Sequence, residues 1–227
     1  MNVNGKRVLV TGGALRIGRA VCIAFAEAGA QIIIHCNKSL EQAQELLAAL
    51  PGSGHQIIQC NLCSPDETAK LLSRCGQIDI LINNASVYYL DKDDSKAKEQ
   101  MQVNFLSPVS LMKQFAAQDI KNGCIINFLD AKENGTNSYS KSKRALHDAT
   151  LTMALEYAPQ IRINGIAPGP VLPPVGLKGP GMQKILKEIP MGHQISLKDI
   201  TDACLFLVKN ESLTGQIIYV DGGQHLV

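Results

Sequence analysis

The chain has 227 residues, is 45% hydrophobic, and carries 22 basic against 20 acidic side chains for a net charge of +2. That length fits one α/β domain, residues 1–227, which can bury a core without disulfides or metals. So balanced a charge leaves no footprint for nucleic acid or an anionic membrane surface. In chain order, strand Arg7–Thr11 is followed by helix Ile17–Ala28, strand Gln31–Cys36, helix Leu40–Leu50, strand Gln56–Asn61 and helix Pro65–Arg74. Then come strand Ile78–Asn83, helix Gln100–Gln118, strand Cys124–Phe128, helix Ser138–Tyr157, strand Arg162–Ala167, helix Lys198–Val208 and strand Ile217–Val220. The strands are nearly continuous runs of Val and Ile, as expected where both faces of a sheet are covered. Strand and helix in alternation imply right-handed crossovers and a doubly wound parallel sheet of about seven strands with helices on both faces.

The segment Pro168–His193 differs in texture, with six of the ten prolines and no strong period apart from a short helical piece near Met182–Glu188. It reads as a loop over a substrate. No run of about 18 apolar residues is present, so no transmembrane helix is expected. The segment Met1–Arg7 lacks the apolar stretch of a secretion signal, and a cytoplasmic location is the default. Seven cysteines are scattered along the chain, mostly inside apolar patterns, and read as buried free thiols. Cys60-Asn61-Leu62-Cys63 has C-x-x-C spacing but no second ligand pair, and His55, His147, His193 and His225 lack metal-ligand spacing. No metal site is expected.

Two stretches carry chemistry. The first, Thr11-Gly12-Gly13, lies between a strand and a helix. Small residues there let backbone N–H groups approach a pyrophosphate at the helix N-terminus. At the end of the second strand, where an acid would bind a ribose 2′-hydroxyl, the chain reads His35-Cys36-Asn37-Lys38-Ser39. Lys38, Asn37, Ser39 and His35 suit a 2′-phosphate instead, and Arg16 adds a cation nearby. These features favour NADPH over NADH. The second stretch is Tyr139-Ser140-Lys141-Ser142-Lys143, which puts Tyr139 and Lys143 on one helix face. A phenol with a pKa of about 10 is a poor acid at neutral pH, and a neighbouring ammonium would lower that value. The preceding strand ends at Leu129-Asp130, on the sheet edge where sites form in open α/β folds.

With both stretches in place, the chain resembles the short-chain dehydrogenase/reductases over nearly its whole length. The matching pieces are Thr11-Gly12-x-x-x-Arg16-Ile17-Gly18, Asn61-Leu62, Asn83-Asn84-Ala85, Asn104, Tyr139-x-x-x-Lys143, Asn164-x-x-x-Pro168-Gly169 and Thr214-Gly215 through Val220-Asp221-Gly222-Gly223. The resemblance implies a Rossmann-type fold, with Tyr139 as proton donor. It implies that Lys143 lowers the Tyr139 pKa and holds the nicotinamide ribose, while Asn104 holds a water of the proton relay. It also sets Gly12, Ile17, Asn61, Leu62, Asn83, Ala85, Ser86, Pro168, Gly169 and Val171 against the cofactor. The family is usually tetrameric, with helices corresponding to Gln100–Gln118 and Ser138–Tyr157 at an interface.

Departures from the common pattern narrow the resemblance. Arg16 replaces the middle glycine of the turn, Asp130 stands where a catalytic serine is usual, and Ser86-Val87-Tyr88 follows Asn83-Asn84-Ala85. Together with the basic second-strand end, these resemble pteridine reductases. The resemblance then implies a substrate site of Arg16, Ser86, Tyr88, Asp130 and Tyr139, with Tyr88 stacked on a flat pterin or folate ring. A carboxylate at position 130 can accept from a ring N–H or amino group, and when protonated it can donate to a ring nitrogen, so that Tyr139 or Asp130 delivers the proton. The loop 131–137 between Asp130 and Tyr139 is short for the superfamily, which bears on where Asp130 is held. The leading reading is an NADPH-dependent reductase of a dihydropterin or dihydrofolate. The alternatives are a 3-oxoacyl-thioester or other carbonyl reductase, and a cofactor-binding protein without turnover.

Overall fold

In a computed structural model of the chain, the described residues are 1–89, 94–132, 135–173, 186, 187 and 189–227. Seven strands form one sheet: β1 (Arg7–Val10), β2 (Gln31–Cys36), β3 (Gln56–Gln59), β4 (Ile80–Asn83), β5 (Gly123–Phe128), β6 (Ile161–Pro168) and β7 (Ile217–Val220). They lie in the order β3-β2-β1-β4-β5-β6-β7, every pair parallel. This is the doubly wound architecture expected from the sequence. The order reverses between β1 and β4, and the crevice above their C-terminal ends is where such sheets bind ligands.

Among the described residues the helices that matter here are α1 (Arg16–Glu27), α2 (Leu40–Ala49), α3 (Pro65–Ala69), α4 (Leu71–Cys75), α5 (Asp94–Met101), α6 (Ser107–Ala116), α7 (Ser138–Glu156) and α8 (Leu197–Lys209). Alternate strand residues bury on opposite faces. Val8, Val10, Ile32, Ile34, Ile80 and Ile82 pack with α1, α2 and α8. Leu9, Ile33, Leu81, Ile125 and Ile163 pack with α4, α6 and α7. All are essentially fully buried, and each such side chain contributes roughly 1.5–3 kcal/mol to folding.

Two helical expectations are corrected. Pro65–Arg74 is two short helices that meet at Lys70. Gln100–Gln118 contains the end of α5, a π-helical turn over Gln102–Leu106, and α6. Such a turn frequently marks a functional site, and this one holds Asn104. Most of the expected helical piece near Met182–Glu188, and much of the loop Pro168–His193, lies outside the described residues.

Helix ends are treated unequally. Helix α3 is capped by Ser64, α7 by Asn137, and α8 by a capping box of Ser196 and Asp199. Arg162, buried on β6, closes the other end of α8 by donating to the carbonyls of Leu207, Val208, Asn210 and Leu213 at 2.9–3.1 Å. By contrast, α1 and α2 start at Leu15 and Ser39 with no side-chain cap. Their first N–H groups face the crevice side of the sheet without a protein acceptor from the cap residue.

Candidate active site

The glycine turn is built by close approach. Gly12 has φ +62°, a left-handed conformation in which glycine carries no penalty. A Cβ on Gly18 would come within 2.2 Å of the Gly12 carbonyl oxygen, so α1 can start against the turn only with glycine at 18. Thr11 locks the turn to the end of β4. Its hydroxyl accepts from the backbone N–H groups of Asn84 and Ala85, both at 3.0 Å, while the Asn84 amide donates to the carbonyls of Thr11 and Gly12. Neither Thr11 nor Asn84 had been assigned a role from the sequence, although both lie inside its motifs.

Arg16 is the non-glycine residue with positive φ, +53°, among the described residues. A left-handed backbone costs such a residue roughly 1–2 kcal/mol, which explains why the family usually places glycine there. Here the side chain spans the crevice and donates to the Pro173 carbonyl at 3.0 Å, with Leu172 O at 3.5 Å. It thereby links the glycine turn to the start of the loop after β6.

His35 is a correction. It is 2% exposed and points into the protein. Its Nδ1 accepts from the Gly12 N–H at 3.0 Å and its Nε2 donates to the Cys60 carbonyl at 3.0 Å. Burial lowers its pKa to about 4, so the ring stays neutral and has no nitrogen left for a phosphate. Its work is to hold the glycine turn. Asn37 and Lys38 are exposed beside it and Ser39 is half-buried. Asn37 donates to the Asn61 Oδ1 at 3.3 Å, which brings the ends of β2 and β3 together, with Leu62 buried next to them.

Asn83 is also turned inward. Its amide donates to Asn127 on β5 at 2.8 Å, so the side chain braces the sheet, and its buried Oδ1 has no partner. Ala85 and Ser86 follow at the crevice. On the far side, Gly169 packs so closely on Asp221 that a Cβ would meet its Cα at 2.7 Å. Val171 is buried and its carbonyl accepts from the Gln194 side chain. Ile17 is half-buried against the core.

Asp130, Tyr139 and Lys143 converge above β5. The Tyr139 hydroxyl donates to the Asp130 carboxylate at 3.0 Å, and Asp130 also accepts from the Lys132 N–H at 2.7 Å. The short loop 131–137 therefore does not carry Asp130 away from Tyr139. Lys143 is buried and donates to the Phe128 carbonyl at 2.8 Å, with its nitrogen 5.8 Å from the Tyr139 ring centre. Tyr88 stands edge-on to Tyr139, ring centres 5.2 Å apart at 79°.

The balance at the phenol runs opposite to the sequence expectation. Burial, and then the negative charge and hydrogen bond of Asp130, push the Tyr139 pKa up, while Ser86 works weakly the other way. Lys143 does not offset them, because its hydrogen bond is committed to Phe128 and Asp130 lies in direct contact with the hydroxyl. Burial raises the Asp130 pKa and lowers that of Lys143 to about 8. The cluster is thus a protonated phenol on a carboxylate, with a weakly held ammonium behind it. Asn104 is fully buried, and its amide is committed to Ser86, Val87 and Ser142. Its side chain fixes the wall of the site.

Comparison with known proteins agrees with this fold. Residues 13–225 match a family model described as enoyl-(acyl carrier protein) reductase. The chain is 31% identical over 245 residues to the glucose 1-dehydrogenase of Gluconobacter oxydans, covering 96% of this chain and 91% of that one. The chain belongs to the short-chain dehydrogenase/reductase superfamily. Another member, the 3-oxoacyl-acyl-carrier-protein reductase of Thermotoga maritima, is 30% identical over 245 residues, with 98% of this chain and 99% of that one covered. Among solved structures of the superfamily, that of FolM alternative dihydrofolate reductase 1 from Brucella canis, complexed with NADP, superposes with a TM-score of 0.90. It is 33% identical and covers 100% of this chain and 96% of that chain.

Proposed function

We propose that this short-chain reductase uses NADPH to reduce a dihydropterin or dihydrofolate to its tetrahydro form. The observation that carries this reading is the Tyr139–Asp130 contact, a carboxylate where carbonyl reductases of the superfamily usually have serine, faced by the exposed ring of Tyr88. A flat C=N heterocycle offers N–H groups for the carboxylate and a face for the aromatic ring. The likeness to an alternative dihydrofolate reductase supports the same reading.

The residues present fit NADPH. The collapsed Gly12–Gly18 contact and the uncapped start of α1 suit a pyrophosphate. Lys38, Asn37 and Ser39, at the uncapped start of α2 and without a nearby acid on β2, suit a 2′-phosphate. Pro168 and Gly169 would flank the nicotinamide, and Lys143 would hold its ribose. Bound NADPH supplies the hydride for the carbon of the C=N bond. Tyr139 delivers the proton to the nitrogen, Asp130 accepts from the ring N–H or amino group, and Lys143 stabilises the phenolate left behind. Arg16 is within reach of both the cofactor and the substrate side of the crevice.

The test is NADPH oxidation with dihydromonapterin, dihydrobiopterin, dihydrofolate and an acetoacetyl thioester side by side. Turnover of the heterocycles without the thioester supports the proposal. Thioester turnover alone would move the enzyme to the carbonyl reductases, the reading that the Thermotoga relative favours. In Asp130→Ala, dihydropterin turnover should fall roughly 30-fold with NADPH affinity retained, the loss expected for one charge-assisted hydrogen bond. Unchanged turnover would remove Asp130 from the mechanism.

We further propose a cytoplasmic homotetramer. Leu106, at the end of the π-helical turn before α6, and Leu151 and Leu155 on α7 are 46%, 41% and 84% exposed, apolar surface that association would cover. Light scattering at micromolar concentration should give four times the chain mass, and a monomer would refute it.

A further inference from the structure

We infer that Gln100 is a positioning residue for the substrate, acting through Tyr88; the inference rests on the flat-ring substrate proposed above. Gln100 is fully buried on α5, one helical turn before Asn104. Burying an uncharged amide is unfavourable unless its atoms are bonded. Here the Gln100 oxygen accepts from the Tyr89 backbone N–H at 2.8 Å and its nitrogen donates to the Ser138 hydroxyl. Asn104 does the same one turn on. Its oxygen accepts from the Val87 N–H at 2.8 Å, and its nitrogen donates to Val87 O at 2.9 Å and to Ser142 at 3.2 Å.

Ser138 and Ser142 are themselves one turn apart on α7, the helix that carries Tyr139 and Lys143. The two amides therefore form two rungs between α7 and the segment after β4. One rung fixes Val87 and the other fixes Tyr89. Tyr88 lies between them, its backbone pinned on both sides while its ring stays 60% exposed and edge-on to Tyr139. An exposed ring has few contacts of its own to hold it. Its place is set by the backbone, and the backbone is set by the rungs. Asn104 belongs to a motif of the superfamily, whereas Gln100 was not singled out by any motif in the sequence. A rigid ring in the right place avoids the ordering cost that a mobile one would impose on binding. Gln100 touches neither substrate nor reacting atoms, so its effect should appear in KM.

The experiment is steady-state kinetics with dihydrobiopterin on wild type, Tyr88→Ala, Gln100→Met and the double variant. Gln100→Met should raise KM about tenfold and leave kcat within about threefold. In the Tyr88→Ala background the same substitution should change KM by less than about twofold, because the path through Tyr88 is already cut. If Gln100→Met does not fold, Ser138→Ala opens the same rung from the other end and should raise KM likewise. Additive KM effects in the double variant, or a fall in kcat matching the rise in KM, would overturn the inference and leave Gln100 a residue of general stability. Wild-type inactivity toward every dihydropterin would instead overturn the substrate reading beneath it.

Discussion

Tyr139→Phe should lower kcat on a dihydropterin about 10³-fold and leave NADPH affinity within about threefold. The substitution removes one oxygen and keeps the ring, so the edge-on packing with Tyr88 survives. What is lost is the hydroxyl that donates to Asp130 at 3.0 Å and that is proposed above to hand a proton to the substrate. General acid catalysis by a positioned group is worth roughly 10²–10⁴-fold, and nothing else in the cluster replaces it fully. Asp130 has a raised pKa through burial, but its second oxygen is held by the Lys132 N–H. The pH profile tests the same arrangement. Tyr139 is held protonated well above its usual range, so an alkaline fall in wild-type kcat belongs to Lys143, whose pKa is lowered to about 8. Lys143 is charged below that pH and supports the phenolate; as pH rises through about 8 the charge is lost and kcat should fall. An alkaline limb above about 10 would contradict the assignment, and a Tyr139→Phe enzyme with near-native kcat would exclude Tyr139 as the acid.

The raised pKa of that phenol also marks the limit of reading the sequence. The spacing of Tyr139 and Lys143 puts both on one helix face, and that was correct. The sign of the pKa shift was not legible, because it depends first on how deeply the fold buries the hydroxyl and then on which group lies closest to it, here Asp130. His35 shows the same limit. A histidine at the end of β2 looks like a phosphate ligand until the fold turns its ring between Gly12 and Cys60. The seven strands were legible because their Val and Ile runs admit one reading once both faces are buried. Helix α5, Asp94–Met101, was not recognised before Gln100, because its sequence is mostly polar and carries no apolar period. Gln100 was readable in principle, four residues before Asn104 and so on the same helix face, but only the fold reveals that this face meets α7.

Gly18→Ala should weaken NADPH binding by at least about 100-fold. Alanine is the smallest change available and the better helix former, so helix propensity alone predicts a slight stabilisation. Packing predicts the reverse. The new methyl group would lie 2.2 Å from the Gly12 carbonyl oxygen and 2.9 Å from its carbonyl carbon, and 2.6 Å from the Asn84 amide nitrogen. Backbone cannot swing aside as a flexible side chain can. Either α1 moves off the turn, or Gly12 moves and strains its contact with Ala85, where an added Cβ would already be only 3.1 Å from Cα. Both shifts displace the uncapped N–H groups of α1 from the glycine turn, the place proposed above for the pyrophosphate. Overpacking of this kind typically costs 1–3 kcal/mol in stability, which a domain of this size can survive. The affinity should suffer more, because it depends on several N–H groups meeting one anion together. Titration of NADPH into a folded Gly18→Ala protein, with its melting temperature measured alongside, separates the two. Affinity unchanged from wild type would mean that the pyrophosphate does not sit at the start of α1.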